Sequence, residues 1–397
     1  MNLFKKKIYF DGRVSHGFVS LYTGKTIIMV ASGLLGLFMP IFIYNLFGKN
    51  FQYTALYFAI GYFLYAIAVT MGAKSLNRFG FRRSLRISIL LGIFYYLIFY
   101  FIKDDNLIYL IPLAVIVLLF FRLSYWLPYH VDFAKFTSKK NRGRQVAAIQ
   151  TTRTIMGIFL PILAGFIIMQ FGFKVLFIMA MVLYLVSGIP YLTIPRTREK
   201  FSWTFLETWQ KFFSKKYRKT ALAFMADGAE KTVAVVIWPI FIYQLLQGDY
   251  LKVGAISTFI IGVTVILQLI LGKSIDKKLK KEKVLKFGSI FYALGWVIKI
   301  FITTAFHIFA VGIYHNFMRI FTKMPFDTLT YEAAADQEHY VDEFTVLHEI
   351  AVNIGKTSIL ILIIFGLMFF AIQWVFLLAA IASIGLNLFS TKIELYR

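Results

Sequence analysis

Apolar residues in this chain come in long unbroken runs rather than in alternating pairs or amphipathic stripes. Alternation would mark half-buried strands, and a 3.6-residue stripe a surface helix. Runs of about 20 apolar residues mark helices that cross a bilayer, because lipid satisfies no backbone polar group. Twelve spans are predicted, near 20–47, 52–73, 84–102, 107–128, 145–170, 173–195, 219–246, 252–273, 286–305, 306–327, 344–371 and 372–391. They fall six and six about a polar linker, 196–218, so residues 1–195 and 219–397 read as two six-helix bundles. The expected fold class is an all-α polytopic membrane protein of twelve transmembrane helices.

The two bundles share sequence. Pro40-Ile41-Phe42-Ile43-Tyr44 recurs 199 positions later as Pro239-Ile240-Phe241-Ile242-Tyr243. In the same register, Ala73-Lys74-Ser75-Leu76-Asn77-Arg78 aligns with Gly272-Lys273-Ser274-Ile275-Asp276-Lys277. Two matches in one register, each beside an apolar span, predict pseudo-symmetric halves. Pro40 and Pro239 are then expected at equivalent depths in spans one and seven.

Composition agrees. Of 397 residues 59% are hydrophobic, against about 45–50% in soluble domains. The 44 Phe and 23 Tyr suit lipid contact and interfacial belts. With no Cys, disulfides and thiolate metal sites are excluded. The basic stretch Met1–Arg13 precedes a run, Thr26 to Phe47, that is too long for a signal-peptide core, so an uncleaved first span is expected.

A net charge of +24 raises the question of nucleic acid. The distribution answers it. Lys5, Lys6, Lys7 and Arg13 lie in the tail. Lys74, Arg78, Arg82, Arg83 and Arg86 lie after span two, and Lys135, Lys139, Lys140, Arg142 and Arg144 after span four. Lys273, Lys277, Lys278, Lys280, Lys281, Lys283 and Lys286 follow span eight. The alternate loops carry only Lys49, Lys103, Lys174 and Lys252. The positive-inside rule then places both termini in the cytoplasm, with anionic headgroups as the partner of the charge. The linker, rich in cations and containing Trp203, Phe205 and Trp209, predicts an amphipathic helix on the membrane surface. The loop after span ten is acidic (Glu332, Asp336, Glu338, Asp342, Glu343); it either pairs with the basic loops or is simply solvated.

Six plus six spans, termini inside, and a basic motif after spans two and eight resemble the major facilitator superfamily (MFS). The superfamily's signature, Gly-x-x-x-Asp-(Arg/Lys)-x-Gly-x-(Arg/Lys)-(Arg/Lys), is matched at Arg78, Gly80, Arg82 and Arg83, with Ala73 standing for its Gly and Asn77 for its Asp. Its second copy is met by Gly272, Asp276 and Lys277, after which Leu279 replaces the second Gly. The resemblance implies a cytoplasmic gate at these residues, with Asp276 rather than Asn77 as the charge latch. Span five contains Gly157-x-x-x-Pro161-x-x-Ala164-Gly165, similar to the antiporter motif of drug exporters but equally a small-residue packing seam, the reading preferred here.

Charges inside spans are costly and mark function by default. They are Lys25, Arg122, Arg153, Asp227, Glu230, Lys231, Lys299, His315, Arg319, Lys323, His348, Glu349 and Lys356. The resemblance implies that spans one, four, seven and ten line the central cavity, with five and eleven beside them; Lys299 then stands apart, and either snorkels to an interface or marks a misplaced span boundary. In span seven the spacing puts Asp227, Glu230 and Lys231 on one face. Burial disfavours an ionised carboxylate and a nearby cation favours it, so this group can carry a proton; a purely structural Asp227–Lys231 pair fits the same spacing. Glu349 and His348 are further proton candidates, and Asn353 and Lys356 share a face with Glu349. Lys25, Arg122, Arg153, Lys231, His315, Arg319, Asn353 and Lys356 are expected to line the substrate cavity, where an excess of cations leans toward an anionic or polar solute. Gly24-Lys25-Thr26 and Gly355-Lys356-Thr357 lack the earlier Gly of a phosphate loop, having Val19 and Ile350.

The sequence thus predicts a secondary transporter of the plasma (inner) membrane. It is expected to be a monomer, proton-coupled, working by alternating access, with no enzyme activity, cofactor, metal or nucleic-acid partner. A non-transporting receptor or scaffold, and a lipid flippase, are the alternatives.

Overall fold

A computed structural model describes residues 15–137, 142–196, 201–271, 281–335 and 341–389. Gly272, Asp276 and Lys277, with Asp336 and Glu338, lie outside them. The described residues are helical, without strands. The helices are α1 (His16–Gly36), α2 (Met39–Leu46), α3 (Phe51–Phe79), α4 (Phe81–Phe101), α5 (Leu107–Phe136), α6 (Arg142–Phe171) and α7 (Phe173–Leu192). Then come α8 (Phe205–Phe212), α9 (Arg218–Thr232), α10 (Trp238–Leu245), α11 (Tyr250–Leu271), α12 (Lys281–Lys299), α13 (Ala305–Ala335), α14 (Val341–Gly366) and α15 (Val375–Gly385). Eight of them (α1, α3 to α7, α11 and α14) are long and apolar enough to cross a membrane, among the described residues. Large apolar side chains such as Leu90, Phe159 and Ile189 are more than half exposed along these helices.

Two predicted spans are broken, each just ahead of its repeated proline. The first divides into α1 and α2 around Leu37 and Phe38; the seventh divides into α9 and α10 through a π-helical turn, Val233–Ile237. Proline has no N–H, and its ring displaces the carbonyl four residues back. For Pro40 that carbonyl belongs to Gly36, the last residue of α1; for Pro239 it belongs to Val235, inside the π turn.

The turns that follow repeat bond for bond. Lys49 N donates to Tyr44 O at 2.8 Å, and Gly248 N to Tyr243 O at 2.9 Å. Gly48 N reaches Asn45 O, and Gln247 N reaches Gln244 O, both at 3.0 Å. Each turn has two successive residues at positive φ: Gly48 (62°) and Lys49 (63°), then Gln247 (56°) and Gly248 (81°). Asn50 then caps α3 through Tyr53 N at 2.9 Å, as Asp249 caps α11 through Lys252 N at 2.9 Å. Every pair is separated by the same 199 positions as the sequence repeat.

Helices α1 and α3 to α7 pack on one another, as do α9 and α11 to α15; between the groups α6 lies along α11 and α3 along α14. The α6–α11 seam is backbone-close. A Cβ on Gly254 would stand 2.3 Å from Pro161 O, and one on Gly165 would stand 2.5 Å from Tyr250 O. The Pro161-x-x-Ala164-Gly165 stretch is therefore a packing seam, with Ala164 fully buried in it.

The linker is fastened to the bundle. Thr204 and Glu207 form a capping box on α8, and Phe212, Phe201 and Trp203 are buried. Asn77 grips the linker from α3, its Nδ2 donating to Phe201 O at 2.8 Å and its Oδ1 accepting from Phe201 N at 3.0 Å. From α14, Glu343 Oε1 accepts from Ser202 N at 2.9 Å and Oγ at 2.7 Å. The acidic segment is thus partly structural: Glu343 holds the linker, and Glu332 is paired with Lys281.

Candidate functional site

The interior polar residues form two groups. The first is built by α9, α12 and α13. Asp227 and Glu230 are one helical turn apart on α9, and both are almost wholly buried (0% and 1% exposed). Close approach of α14 fixes this stretch, for a Cβ on Gly228 would lie 2.0 Å from Val352 O. Lys323 of α13 enters between the two acids. Its Nζ is 2.5 Å from Asp227 Oδ1 and 2.8 Å from Glu230 Oε2. Lys231, whose side chain is 39% exposed, donates to Asp227 Oδ2 at 2.5 Å, and Tyr292 OH of α12 donates to Glu230 Oε1 at 2.5 Å. Asp227 therefore accepts on both oxygens, whereas Glu230 accepts at Oε1 and meets Lys323 at Oε2 as an ion pair, which compensates the charge in low dielectric.

The group continues through aromatic rings. Tyr292 stacks on His315 of α13, with centroids 4.3 Å apart. His315 Nδ1 is 3.1 Å from Lys299 Nζ, which lies over the rings of Trp296 (3.8 Å) and Trp238 (4.0 Å). Lys299 is 2% exposed. This corrects the expectation of a snorkelling lysine: α12 turns this face inward, and the rings of Trp238 and Trp296 take the place of water around the ammonium. His315 Nε2 is buried without a hydrogen-bond partner among the described residues. Arg319, also on α13, is exposed.

The second group lies between α1, α3, α5 and α14. Lys25 (4% exposed) sits among three rings of α5, 5.0 Å from Tyr125, 4.3 Å from Trp126 and 4.7 Å from Tyr129. Arg122, one turn along α5 from Trp126, donates to Gly61 O at 3.3 Å, and its guanidinium lies 4.8 Å from the centre of Tyr62. Lys356 of α14 comes to the same ring at 4.7 Å. On α14, Glu349 is held by Asn353 Nδ2 (2.8 Å to its carbonyl, 3.3 Å to Oε2) and lies 3.6 Å from His348 Nδ1. Arg153 is exposed on α6.

The structure thus joins Asp227, Glu230 and Lys231, and joins Glu349, His348 and Asn353. It gives Lys25, Arg122 and Lys356 aromatic neighbours that the spacing of charges did not announce. Tyr292, Tyr62 and the α5 rings are the residues that sequence reasoning missed. Trp126 and Tyr129 do share the Arg122 face of α5 at spacings of four and three, a signal that was there to read; Tyr292 had none.

At one end of the molecule α2 and α10 are tied by reciprocal hydrogen bonds. Gln244 Nε2 donates to Tyr44 OH at 2.6 Å, and Asn45 Nδ2 donates to Tyr243 OH at 3.1 Å and Tyr250 OH at 2.8 Å. Tyr44 and Tyr243 are repeat equivalents, as are Asn45 and Gln244, so the two bonds are exchanged by the repeat.

Known structures share this architecture. A peptide transporter POT in complex with sulfate superposes with a TM-score of 0.67 at 10% identity, covering 94% of this chain and 93% of the other. A variant of a peptide transporter POT in complex with alafosfalin superposes with a TM-score of 0.65, at the same identity and coverage. No curated protein matches the sequence. The family model described as Major Facilitator Superfamily matches residues 21–339. The chain therefore belongs to the major facilitator superfamily of membrane transporters.

Proposed function

We propose that the protein is a proton-coupled secondary transporter that moves a small solute across the plasma (inner) membrane by alternating access. Twelve crossings are counted if α1 with α2, and α9 with α10, each make one, and if α12, α13 and α15 cross as well. Residues 1–195 and 219–397 then form two six-helix halves joined by a cytoplasmic linker, with both termini inside. The bond-for-bond repeat of the two turns supports this division, and the reciprocal α2–α10 bonds suit an outer gate lying on the pseudo-symmetry axis.

The observation that carries the reading is the sharing of Lys323 between Asp227 and Glu230 in an apolar interior. Two acids and a shared cation are an expensive way to hold helices together, since apolar replacements of buried ion pairs are often at least as stable. They suit a proton carrier: protonating one acid releases Lys323 to the other, so the pairing, and with it the inward–outward balance, depends on the proton. A proton shifts that balance only through its differential affinity for the two states. Glu349 and His348 stand as the second candidate.

The test is substrate-dependent proton flux in proteoliposomes. Asp227→Asn and Glu230→Gln are expected to abolish proton-driven accumulation while leaving solute exchange. Normal pH dependence in both single variants and in the double would place the carrier elsewhere.

A further inference from the structure

The cations of the interior can now be sorted by partner. Asp227 and Glu230 share Lys323, with Lys231 and Tyr292 as their further donors, and Glu349 has Asn353 and His348. Arg122, Lys25 and Lys356 make no ion pair among the described residues. All three face aromatic rings instead.

A ring quadrupole compensates a cation only weakly and occupies none of its N–H donors. A carboxylate or phosphate takes those donors directly, in shorter and roughly twice stronger hydrogen bonds. Arg122 spends one N–H on Gly61 O, which leaves most of its five donors uncommitted. Lys356 stands by the same ring, 4.7 Å from its centre against 4.8 Å for Arg122, so the two cations flank one aromatic side chain. The two cations come from different halves of the chain: Arg122 from α5 and Lys356 from α14. A group bridging them would contact both halves, so its binding would differ between states in which the halves are displaced. Both are partly exposed, whereas the paired acids are buried, so an incoming solute meets the cations first.

We propose that Arg122 and Lys356, with the face of Tyr62 between them, form the subsite for the charged group of the transported solute. That solute is an organic anion carrying a carboxylate or a phosphate. Lys25, one turn along α5 in its cage of Tyr125, Trp126 and Tyr129, extends the same positive surface. The proposal rests on the transporter reading, since it names the class of that transporter's substrate.

Two measurements on the full chain in detergent test it. In the first, tryptophan fluorescence is quenched by iodide and by neutral acrylamide at constant ionic strength. A positive site beside Trp126 concentrates iodide. The iodide Stern–Volmer constant is expected to fall in Arg122→Gln/Lys356→Gln, and that fall is expected to be absent when the same two substitutions are made in Trp126→Phe, since the other five tryptophans lie away from the pair. Acrylamide quenching is expected to stay unchanged in the charge variant.

In the second, thermal unfolding is followed with matched acids and amides: succinate and succinamide, benzoate and benzamide, N-acetylalanine and its amide. Only the acids should raise the Tm, and either single variant, Arg122→Gln or Lys356→Gln, should lose the shift. Lys103→Gln, on an exposed loop, should keep it. The proposal stands only if both the charge-dependent quenching and the preference for acid over amide appear; failure of either overturns it. Failure of the transporter reading looks different: acid binding that persists in a protein whose proteoliposomes show no flux.

Discussion

Replacing Lys323 by Met tests whether the α9–α13 cluster is one coupled unit. The side chain is 10% exposed and contacts a carboxylate on each side, at 2.5 and 2.8 Å. Its loss leaves Asp227 with Lys231 alone and Glu230 with Tyr292 alone. Removing one partner of a buried ion pair costs about 3–5 kcal/mol, because the charge left behind is uncompensated. The remaining donors keep Lys323→Met toward the lower end, about 3 kcal/mol. Glu230→Gln leaves Lys323 still paired with Asp227 and removes one charged hydrogen bond, about 1.5–3 kcal/mol. In the double variant the orphaned charge at residue 230 is gone, so its cost should fall short of the sum of the singles by about 1–3 kcal/mol. Reversible SDS unfolding in mixed micelles, followed by far-UV circular dichroism, measures all three. Additive costs, or a Lys323→Met cost below about 0.5 kcal/mol, would refute the shared-lysine account.

Asn45→Ala/Gln244→Ala should loosen the α2–α10 tie. Spin labels on cysteines at Lys49 and Lys252, introduced into a chain with no native Cys, should then show a new, longer distance population; an unchanged distribution would mean that these bonds hold no gate. Gly254→Val should destabilise by about 1–3 kcal/mol or more, since even a Cβ there meets Pro161 O at 2.3 Å; a Tm equal to that of the unsubstituted chain would contradict the backbone-close seam. Asp249, in the turn between α10 and α11, caps Lys252 N, and that backbone hydrogen bond holds its carboxyl below the usual carboxylate range. A depressed folded value means that its contribution is present above the unfolded value and is lost as pH falls through the folded one. Asp249→Asn, the residue the first repeat uses, should flatten the acid limb of a Tm–pH profile, whereas Asp249→Ala should cost about 0.5–2 kcal/mol at neutral pH.

Some of this was legible in the chain. Helices that cross lipid must satisfy their backbones internally and present apolar side chains outward, so α4, α6, α7 and α11 lie within about three residues of the predicted runs, while α3 and α5 run on past theirs, to Phe79 and Phe136 rather than 73 and 128. The break of the first and seventh spans was not predicted, although Pro40 and Pro239, the residues that make it, were the anchors of the repeat. Legibility fell where residues distant in sequence meet. Nothing marks Tyr292, one of 23 tyrosines, as the partner of a glutamate 62 positions earlier. Asn77 read as a defective latch because it carries no charge, yet its amide offers both a donor and an acceptor and so closes on the Phe201 backbone, which an aspartate could do only in part. Lys299 read as peripheral because its helix was placed outside the cavity; two tryptophans from different helices decide otherwise.

The repeat itself shows why short matches in one register outweigh long, loose similarity. What recurs after 199 positions is the chemistry of a turn: a proline that ends one helix segment, a tyrosine whose carbonyl closes the loop, two residues at positive φ, and an Asn or Asp that caps the next helix. Apolar residues within the spans exchange freely, because lipid and neighbouring helices ask only for volume and hydrophobicity. Backbone geometry at a tight turn asks for particular residues. The tolerances even trade places between copies. Gly48 precedes Lys49 in the first turn and Gln247 precedes Gly248 in the second, so the glycine changes position while the pair of positive φ angles stays. Constraint on the pair of angles, rather than on either residue, is what two copies of one structural unit leave behind after their side chains have diverged. The reciprocal Tyr44–Gln244 and Asn45–Tyr243 bonds follow from the same repeat: each copy supplies one tyrosine and one amide, so the contact occurs twice with the partners exchanged, and Asn and Gln differ only in how far they reach.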